Sequence, residues 1–273
     1  MRFFRGALAV LVWLLAAPVA AAQALELKFL DVGQADAILI QLGRRAVLVD
    51  ASRGDDIVLV LAEQGVDSLV AAIGSHNHAD HIGGMDAVLS SLPVGQYFFN
   101  HRPPANNNAR SVEEWLARRG IQSPPLPWDP IMLGDVRITV FPSALTGASE
   151  NNNSLGVLVE RGSFRALLTG DSEVEALNAW MEAGIIPDVD VLKAAHHGAR
   201  NGVTPGWIDR TKPEVVVISV GATNGYGHPD PAAMRYYQLH RRAVYRTDTD
   251  GTVTVTVDPE GNYQVTTAGP IPR

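Results

Sequence analysis

Residue types that bind metal ions follow directly after several apolar, strand-like runs of this 273-residue chain. The densest example is SHNHADHIGG at positions 75–84, which places His76, His78, Asp80 and His81 within six positions after the run SLVAAIG. A single histidine in such a place is most often a core or surface residue. Four ligand-type residues at the end of one strand favour a metal site, because open α/β sheets gather their ligands there.

The same strand-then-ligand pattern recurs at three other places. Asp50 follows AVLV, Asp171 follows ALLTG, and the pair His196 and His197 follows VLKAA. Each residue alone is equally well explained as a turn residue or a helix cap. Their recurrence predicts that all of them meet at one edge of a sheet.

Short β-branched runs alternate with turns and helical patterns along the whole chain. Helices are predicted at about 55–64, 84–91, 109–119, 172–183 and 231–241, whereas SHNHADHIGG reads as a loop. Strands are predicted at LELKFL, AILIQL, RAVLVD, LVAAIG, QYFFN, VRITVF, LGVLVE, FRALLT, DVDVLK, EVVVIS, AVYRT, TVTVTV and YQVTT. Strand-rich halves with interspersed helices predict an α/β fold of two sheets covered by helices, in a single domain.

The first 24 residues have the anatomy of a secretory signal peptide. Arg2 and Arg5 precede an apolar segment at 6–17, and small residues lead to a cleavage site after Ala24. A membrane anchor is the alternative, but the apolar segment is too short for one. We therefore predict an exported protein, periplasmic or secreted, with residues 25–273 as its mature domain and no stable membrane anchor after cleavage.

Composition limits the possible partners and ligands. The chain has no cysteine, which excludes disulfides and thiolate metal ligands. It carries 22 basic and 29 acidic residues, and loss of the first 24 residues would leave a net charge of −9. Such an acidic chain is a poor candidate for a non-specific nucleic-acid-binding module, because those modules depend on phosphate contacts.

Taken together, the motifs resemble the metallo-β-lactamase superfamily, whose His-x-His-x-Asp-His signature is matched in full by residues 76–81. The chain looks more narrowly like the metallohydrolase domain of the DNA-uptake competence protein ComEC and its stand-alone, secreted relatives. Seven motifs in family order carry this likeness: LDVGQADAILI, LVDAS, SHNHADHIGG, NNNSLGVLV, LLTGDSE, VLKAAHHGA and NGYGHPD. The resemblance implies a four-layer αββα sandwich with a metal site at one edge of its sheets.

The resemblance also implies roles for individual residues and two divalent metal ions per chain, Zn²⁺ or Mn²⁺. His76 and His78 would hold one ion, while Asp80, His81 and His197 would hold the other. Asp171 would bridge the two ions. His196 would remain free to act on the leaving group, although the assignment of His196 and His197 stays open. The remaining motif residues expected to support the site are Asp31, Gln34, Asp36, Asp50, Asn153 and Asn224.

The chain departs from the family pattern in several places. Ala35 and Asn77 replace a frequent glycine and proline, and VDAS replaces Asp-Thr-Gly, but the ligands are intact. The third histidine that true β-lactamases give the first metal has no counterpart, because asparagines occupy positions 151–153. This difference makes β-lactam hydrolysis less favourable and makes the first site tolerant of Mn²⁺ as well as Zn²⁺.

A two-metal centre of this kind suits phosphodiester hydrolysis, because it lowers the pKa of a bridging water and neutralises charge on a phosphoryl oxygen. Asp80 could orient the hydroxide, while His196 and His228 could donate a hydrogen bond or a proton to the leaving oxygen. His228 could equally be a loop residue that helps to cap the helix after it. The first substrate to test is DNA. The alternatives are hydrolysis of another ester, lactone or lactam, and a non-catalytic DNA-binding competence accessory.

Overall fold

The computed structural model describes residues 23–104, 106–145, 149–239 and 242–269. The predicted signal peptide, apart from Gln23 and Ala24, and the last two residues of the predicted helix at 231–241 lie outside the described residues. Among the helices described, none has the length and apolar character needed to cross a membrane.

The first sheet has seven strands in the order β14-β13-β1-β2-β3-β4-β5. Neighbouring strands pair antiparallel from β14 to β3, and β3, β4 and β5 run parallel. The strands are β1 Leu25–Phe29, β2 Ile38–Leu42, β3 Arg45–Val49, β4 Leu69–Ile73, β5 Val94–Phe98, β13 Val253–Val257 and β14 Tyr263–Thr267.

The second sheet also has seven strands, in the order β12-β11-β10-β9-β8-β7-β6. Its four strands from β9 to β12 run parallel, and those from β6 to β9 pair antiparallel. The strands are β6 Ile131–Leu133, β7 Val136–Phe141, β8 Gly156–Arg161, β9 Phe164–Leu168, β10 Val191–Lys193, β11 Val215–Ile218 and β12 Ala243–Arg246.

Helices cover the outer face of each sheet, so that the layers are helix, sheet, sheet, helix. Those against the first sheet include α1 Ile57–Glu63, α2 Ala79–Ile82, α3 Met85–Ser91 and α4 Asn107–Arg119. Those against the second sheet are α5 Val174–Glu182, α6 Pro205–Thr211 and α7 Pro231–Gln238, while the short α8 Thr247–Asp250 follows β12. This arrangement confirms the predicted α/β sandwich.

Alternation along the strands explains why the sheets stack. In β1 the side chains of Leu25, Leu27 and Phe29 are fully buried between the sheets, whereas Glu26 and Lys28 point the other way. Each fully buried side chain of this size contributes roughly 1.5–3 kcal/mol to stability. The apolar core between the sheets therefore supports the rigid strand ends that carry the polar residues described below.

Three predictions about local structure were wrong. Part of SHNHADHIGG is the short helix α2 and not a loop, because His78 in extended conformation lets the chain start a helical turn at Ala79. The helix α8 was missed because four residues are too few to show a helical pattern, and α6 was missed because its sequence PGWIDRT begins with proline and glycine, which are typical of turns. The strand β6 was missed because three residues are too few to show an alternating pattern.

Candidate metal centre

The candidate site lies where parallel strands of both sheets end. Asp50 directly follows β3, and His76 lies three residues beyond β4 in the first sheet. Asp171 follows β9, and His196 and His197 follow β10 in the second sheet. Parallel strands present their carboxyl ends at one edge, which explains why residues distant in sequence meet there.

The first two histidines of the motif face each other. Nε2 of His76 lies 3.0 Å from Nδ1 of His78. The other ring nitrogen of His76 lies within 3.3 Å of the hydroxyls of Ser75 and Ser154. His76 is therefore held by the protein on one side, while His78 borders the open cavity above the site.

Asp80 and His81 lie on α2, which packs tightly against the loop after β3. A Cβ atom on Gly84 would collide with the backbone carbonyl oxygens of Ala51 and Gly54, so the glycine allows this close approach. The backbone N–H of Ala51 also donates to the carbonyl of His81. These contacts fix α2 relative to the strand ends.

His81 is oriented by a buried carboxylate. Its Nδ1 lies 2.7 Å from Oδ2 of Asp50, and Asp50 also accepts hydrogen bonds from the backbone and hydroxyl of Ser75. Burial opposes a charged imidazole, but the carboxylates of Asp171 and Asp50 outweigh it and raise the pKa of His81 well above its usual value. The Nε2 atom of His81 is left facing Asp171 at 3.2 Å.

His197 shows the same arrangement from the other sheet. Its Nδ1 donates to the backbone carbonyl of Ser219 at 2.9 Å, which leaves Nε2 directed at Asp80, 3.6 Å away, and Asp171, 3.5 Å away. His196 is half-exposed at the border of the cavity, and its Nε2 lies 4.0 Å from Asp171. The geometry thus favours His197 over His196 as the metal ligand.

The backbone of the two adjacent histidines is unusual. His196 and His197 do not continue as an extended strand, because both have left-handed backbone conformations, with φ values of 51° and 54°. Such conformations are uncommon outside glycine and cost energy, so they occur where the surrounding structure requires them. The turn directs only the second imidazole into the protein.

Asp171 is the carboxylate that the other groups share. It is almost fully buried, and its Oδ1 lies 3.8 Å from Nζ of Lys193. Burial would raise the pKa of Asp171, but the charges of His197, His81 and Lys193 hold it well below the usual value. Asp171 is therefore an anionic oxygen donor at neutral pH.

Ligand atoms of these residues are close enough to hold metal ions. One group consists of His76, His81 and Asp171, and a second of Asp80, His81 and His197, each with ligand atoms within 4.8 Å of one another. Nε2 of His81, Nε2 of His197 and Oδ1 of Asp171 are buried and form no hydrogen bond within the described part of the chain. Imidazoles held through Nδ1 with a free Nε2 are typical metal ligands, so the residues fit a divalent ion.

Sequence reasoning missed Lys193, which is fully buried and ion-paired with Asp36 beneath the site. Its Nζ also donates to the carbonyl of Gly170 at 3.0 Å. Burial lowers the pKa of a lysine, but the charges of Asp36 and Asp171 outweigh it and raise the pKa of Lys193. The sequence signal that could have identified Lys193 was a lysine at the end of the apolar strand β10, because a buried charge there needs a partner.

The cavity above the site has a volume of about 310 Å³ and includes two side chains that sequence reasoning did not select, Arg53 and Tyr226. Arg53 lies 3.2 Å from Oδ2 of Asp80. Among the predicted supporting residues, Gln34 borders the cavity and accepts a hydrogen bond from the backbone of Gly221. Arg53 and Gln34 both lie on loops of the first sheet, and the hydrogen bond from Gly221 connects Gln34 to the loop after β11 of the second sheet.

His228 borders the same cavity, as predicted, and its loop is held by Asn224. The side-chain oxygen of Asn224 accepts from the backbone N–H of His228, and its amide donates to the carbonyls of Gly221 and His228. Burial and the charges of His196 and His197 lower the pKa of His228. Its imidazole is therefore neutral at neutral pH and able to donate one hydrogen bond.

The remaining predicted residues lie around this centre. The backbone N–H of Asp31 donates to Thr252, and Asn153 is buried with its carbonyl near Asn100. Asn151, and not Asn153, is the asparagine whose side chain reaches the cavity, 3.4 Å from Nε2 of His196.

Comparison with known proteins gives consistent matches. The sequence model described as "Metallo-beta-lactamase superfamily" matches residues 30–222. ComE operon protein 3 of Bacillus subtilis is 29% identical over 84% of this chain and 32% of its own length. Competence protein ComA of Neisseria gonorrhoeae is 28% identical over 81% of this chain and 30% of its own length. The chain thus spans about a third of the curated relatives it matches.

Solved structures share the fold. The metallo-β-lactamase fold protein YhfI from Bacillus subtilis superposes with a TM-score of 0.54 and 13% identity, over 89% of this chain and 99% of that one. Igni18, a metallohydrolase from Ignicoccus hospitalis, gives a TM-score of 0.51 and 16% identity, over 88% of this chain and 98% of that one. At such low identity these matches establish the architecture alone.

Proposed function

The chain belongs to the metallo-β-lactamase superfamily, and from this starting point we propose that it hydrolyses phosphodiesters with two divalent metal ions. The predicted likeness to ComEC is confirmed by the curated relatives named for competence. Membership of this superfamily implies a metal-dependent hydrolase in general. The choice of phosphodiesters, and of DNA as the first substrate to test, is the specific part of the proposal.

The observation that carries the proposal is the position of Asp171, which forms one ligand group with His76 and lies 3.2 Å from Nε2 of His81 and 3.5 Å from Nε2 of His197. We assign His76 and His78 to one ion and Asp80, His81 and His197 to the other, with Asp171 shared. When bound, the two ions would activate a water molecule and neutralise charge on a phosphoryl oxygen. Oxygen and imidazole donors of this kind suit Zn²⁺ and Mn²⁺.

Protein groups around the ligands supply orientation. Asp50 and the carbonyl of Ser219 hold His81 and His197 through Nδ1. Lys193 offsets the negative charge of Asp36 and Asp171, which would otherwise repel each other in a buried site. Asp80 lies close enough to the shared carboxylate to orient a nucleophile beside it.

Two histidines at the border of the cavity are suited to the leaving group. The neutral imidazole of His228 donates a hydrogen bond to a phosphoryl oxygen, in preference to acting as a strong acid, because its pKa is lowered. His196 lies 5.6 Å away between ring centroids and faces the same space. Both act on the substrate in this proposal and neither holds a metal ion.

The asparagines at 151–153 support a phosphodiester over a β-lactam. Asn151 is an amide group beside His196 where a lactamase would offer a third imidazole for the first ion. The first ion would then be held by fewer nitrogen donors and remain open to a charged phosphoryl oxygen.

We also propose that residues 1–24 direct export and that the mature domain at 25–273 acts in the periplasm or outside the cell.

Turnover of competing substrates tests the proposal. Purified protein reconstituted with Mn²⁺ or Zn²⁺ is assayed with bis(p-nitrophenyl) phosphate, DNA, a lactone and nitrocefin. We expect phosphodiester hydrolysis to exceed nitrocefin hydrolysis. If nitrocefin or the lactone is turned over faster than the phosphodiesters by orders of magnitude, the substrate of the centre is another ester or a lactam. Metal binding and DNA binding without any turnover would assign the chain to a non-catalytic competence accessory.

A further inference from the structure

Tyr226 is a large aromatic side chain exposed beside the metal ligands. It is 66% exposed, and its ring stacks on the imidazole of His228 at a centroid distance of 5.8 Å and an interplanar angle of 16°. The flanking residues Gly225 and Gly227 carry no side chains, and open space surrounds the position of a Cβ atom on either of them. An exposed ring held flat against another ring is an apolar platform that a planar ligand could cover.

The platform separates two cavities that meet at its edges. The first contains Asp171 and His197, and the second has a volume of about 590 Å³ and contains Arg200. His196, Tyr226 and His228 border both cavities. The metal ligands therefore lie within a cleft that continues on the far side of Tyr226, and do not lie at the bottom of a closed pocket.

Each part of the cleft carries an exposed arginine. The side chain of Arg53 in the first part is half-exposed. Arg200 in the second part is exposed and forms no ion pair within the described part of the chain. The acid in that second part, Asp230, is engaged with the backbone N–H groups of Ala232 and Ala233 at the start of α7. Arg200 thus supplies a positive charge on the far side of Tyr226, while the charge of Arg53 is paired with Asp80, in a protein of net charge −7.

We propose that this cleft binds a single-stranded nucleic acid that crosses the metal ligands, with a base stacked on Tyr226 and a neighbouring phosphate at Arg200. The inference rests on the proposed phosphodiesterase function and extends it from a small diester to a polymer. Stacking on an exposed ring and a phosphate contact one nucleotide away are the two elements of sequence-independent single-strand binding.

A single strand fits these observations better than a duplex. Bases in a duplex are already stacked on one another and do not reach an aromatic platform without being unpaired. A duplex also requires many phosphate contacts along its surface, and this acidic chain offers only a few cations near the cleft. The deeply buried ligand Asp171 is more accessible to a narrow strand.

Binding measured without turnover tests the inference independently of the proposed catalysis. Metal-loaded protein is titrated into a fluorescein-labelled, phosphorothioate-linked oligothymidylate and followed by fluorescence anisotropy. The variants are Tyr226→Leu, which removes the ring, and Tyr226→Phe, which keeps it. A second pair is Arg200→Gln and, as control, Arg210→Gln, an exposed arginine on α6 that borders neither cavity.

We expect wild type, Tyr226→Phe and Arg210→Gln to bind equally well, and Tyr226→Leu to bind about ten-fold or more weakly. Arg200→Gln should reduce the slope of log Kd against log salt by about 0.7, the value for one phosphate of a single strand. Equal binding by Tyr226→Leu and wild type, an unchanged salt slope, or tighter binding of the same oligothymidylate after it is annealed to a complementary oligoadenylate would overturn the inference. If the wild-type protein binds the oligothymidylate as expected but does not hydrolyse diesters, the catalytic proposal is refuted and the binding inference stands.

Discussion

Oδ2 of Asp50 lies 2.7 Å from Nδ1 of His81, and both side chains are buried. The pair joins the end of β3 to α2, and it turns the other nitrogen of His81 toward Asp171. Asp50 has a left-handed backbone with φ of 59°, a conformation that aspartate and asparagine tolerate better than most residues. The carboxylate therefore reaches the imidazole from a strand end that few other residue types would allow.

Asp50→Asn should weaken metal binding by about ten- to a hundred-fold. The negative charge of Asp50 orients the imidazole of His81 and makes it a more basic ligand, and the substitution removes that charge. Asparagine suits the same backbone conformation, so the fold should be kept. Competition with a chromophoric chelator measures the affinity. Asp86→Asn, which alters a carboxylate bound to Ser111 on the outer helices, is the control. Equal affinity in the two variants would refute a supporting role for Asp50.

The adjacent histidines should behave differently when replaced. His197→Ala should lose metal, because Nε2 of His197 faces Asp80 and Asp171. His196→Ala should keep the metal and lose turnover, because its ring only borders the cavity. Elemental analysis and diester hydrolysis of the two purified variants give the answer. If the two variants exchange these behaviours, our assignment of ligand and leaving-group residue is reversed.

His228→Gln and His228→Ala should both retain the metal and nearly the wild-type melting temperature. We expect kcat to fall on the order of 10²-fold or more, the scale of one lost donor to a developing charge. Glutamine retains some polarity and should be the less impaired of the two. Unchanged turnover would make His228 an ordinary loop residue, while loss of metal would make it a ligand.

Lys193→Met should destabilise the metal-free protein by roughly 3–5 kcal/mol, because it leaves the buried carboxylate of Asp36 without its partner. The double variant Lys193→Met/Asp36→Asn removes that uncompensated charge and should recover part of the loss. Urea unfolding of wild type, single and double variants measures the free energies. A loss below about 1 kcal/mol in the single variant would show that Lys193 is not needed to compensate Asp36.

The strand pattern was predictable from the sequence because alternating burial leaves a period of two, as in β1. The meeting of the candidate ligands at one edge of the sheets was predictable, because residue types that bind metal recur directly after the predicted strands. The elements β6 and α2 were not predictable, because three or four residues are too few for periodicity and their conformation depends on packing.

Side-chain contacts between the two sheets could not be predicted from the sequence either. The contact of Lys193 with Asp36 joins residues 157 positions apart and is fixed only when the sheets stack. The left-handed turn at His196 and His197 follows from the tertiary surroundings, because two successive non-glycine residues rarely adopt this conformation. The stacking of Tyr226 on His228 likewise depends on a loop conformation that Asn224 holds.

Turnover as a function of added metal tests the central claim most directly. Metal-free protein is titrated with Mn²⁺ or with Zn²⁺ while hydrolysis of bis(p-nitrophenyl) phosphate is followed. The account predicts that the rate rises to a plateau at about two ions per chain, because Asp171 lies close both to His76 and to the pair His81 and His197. A plateau at one ion, or bound ions without hydrolysis of the diester, would contradict it.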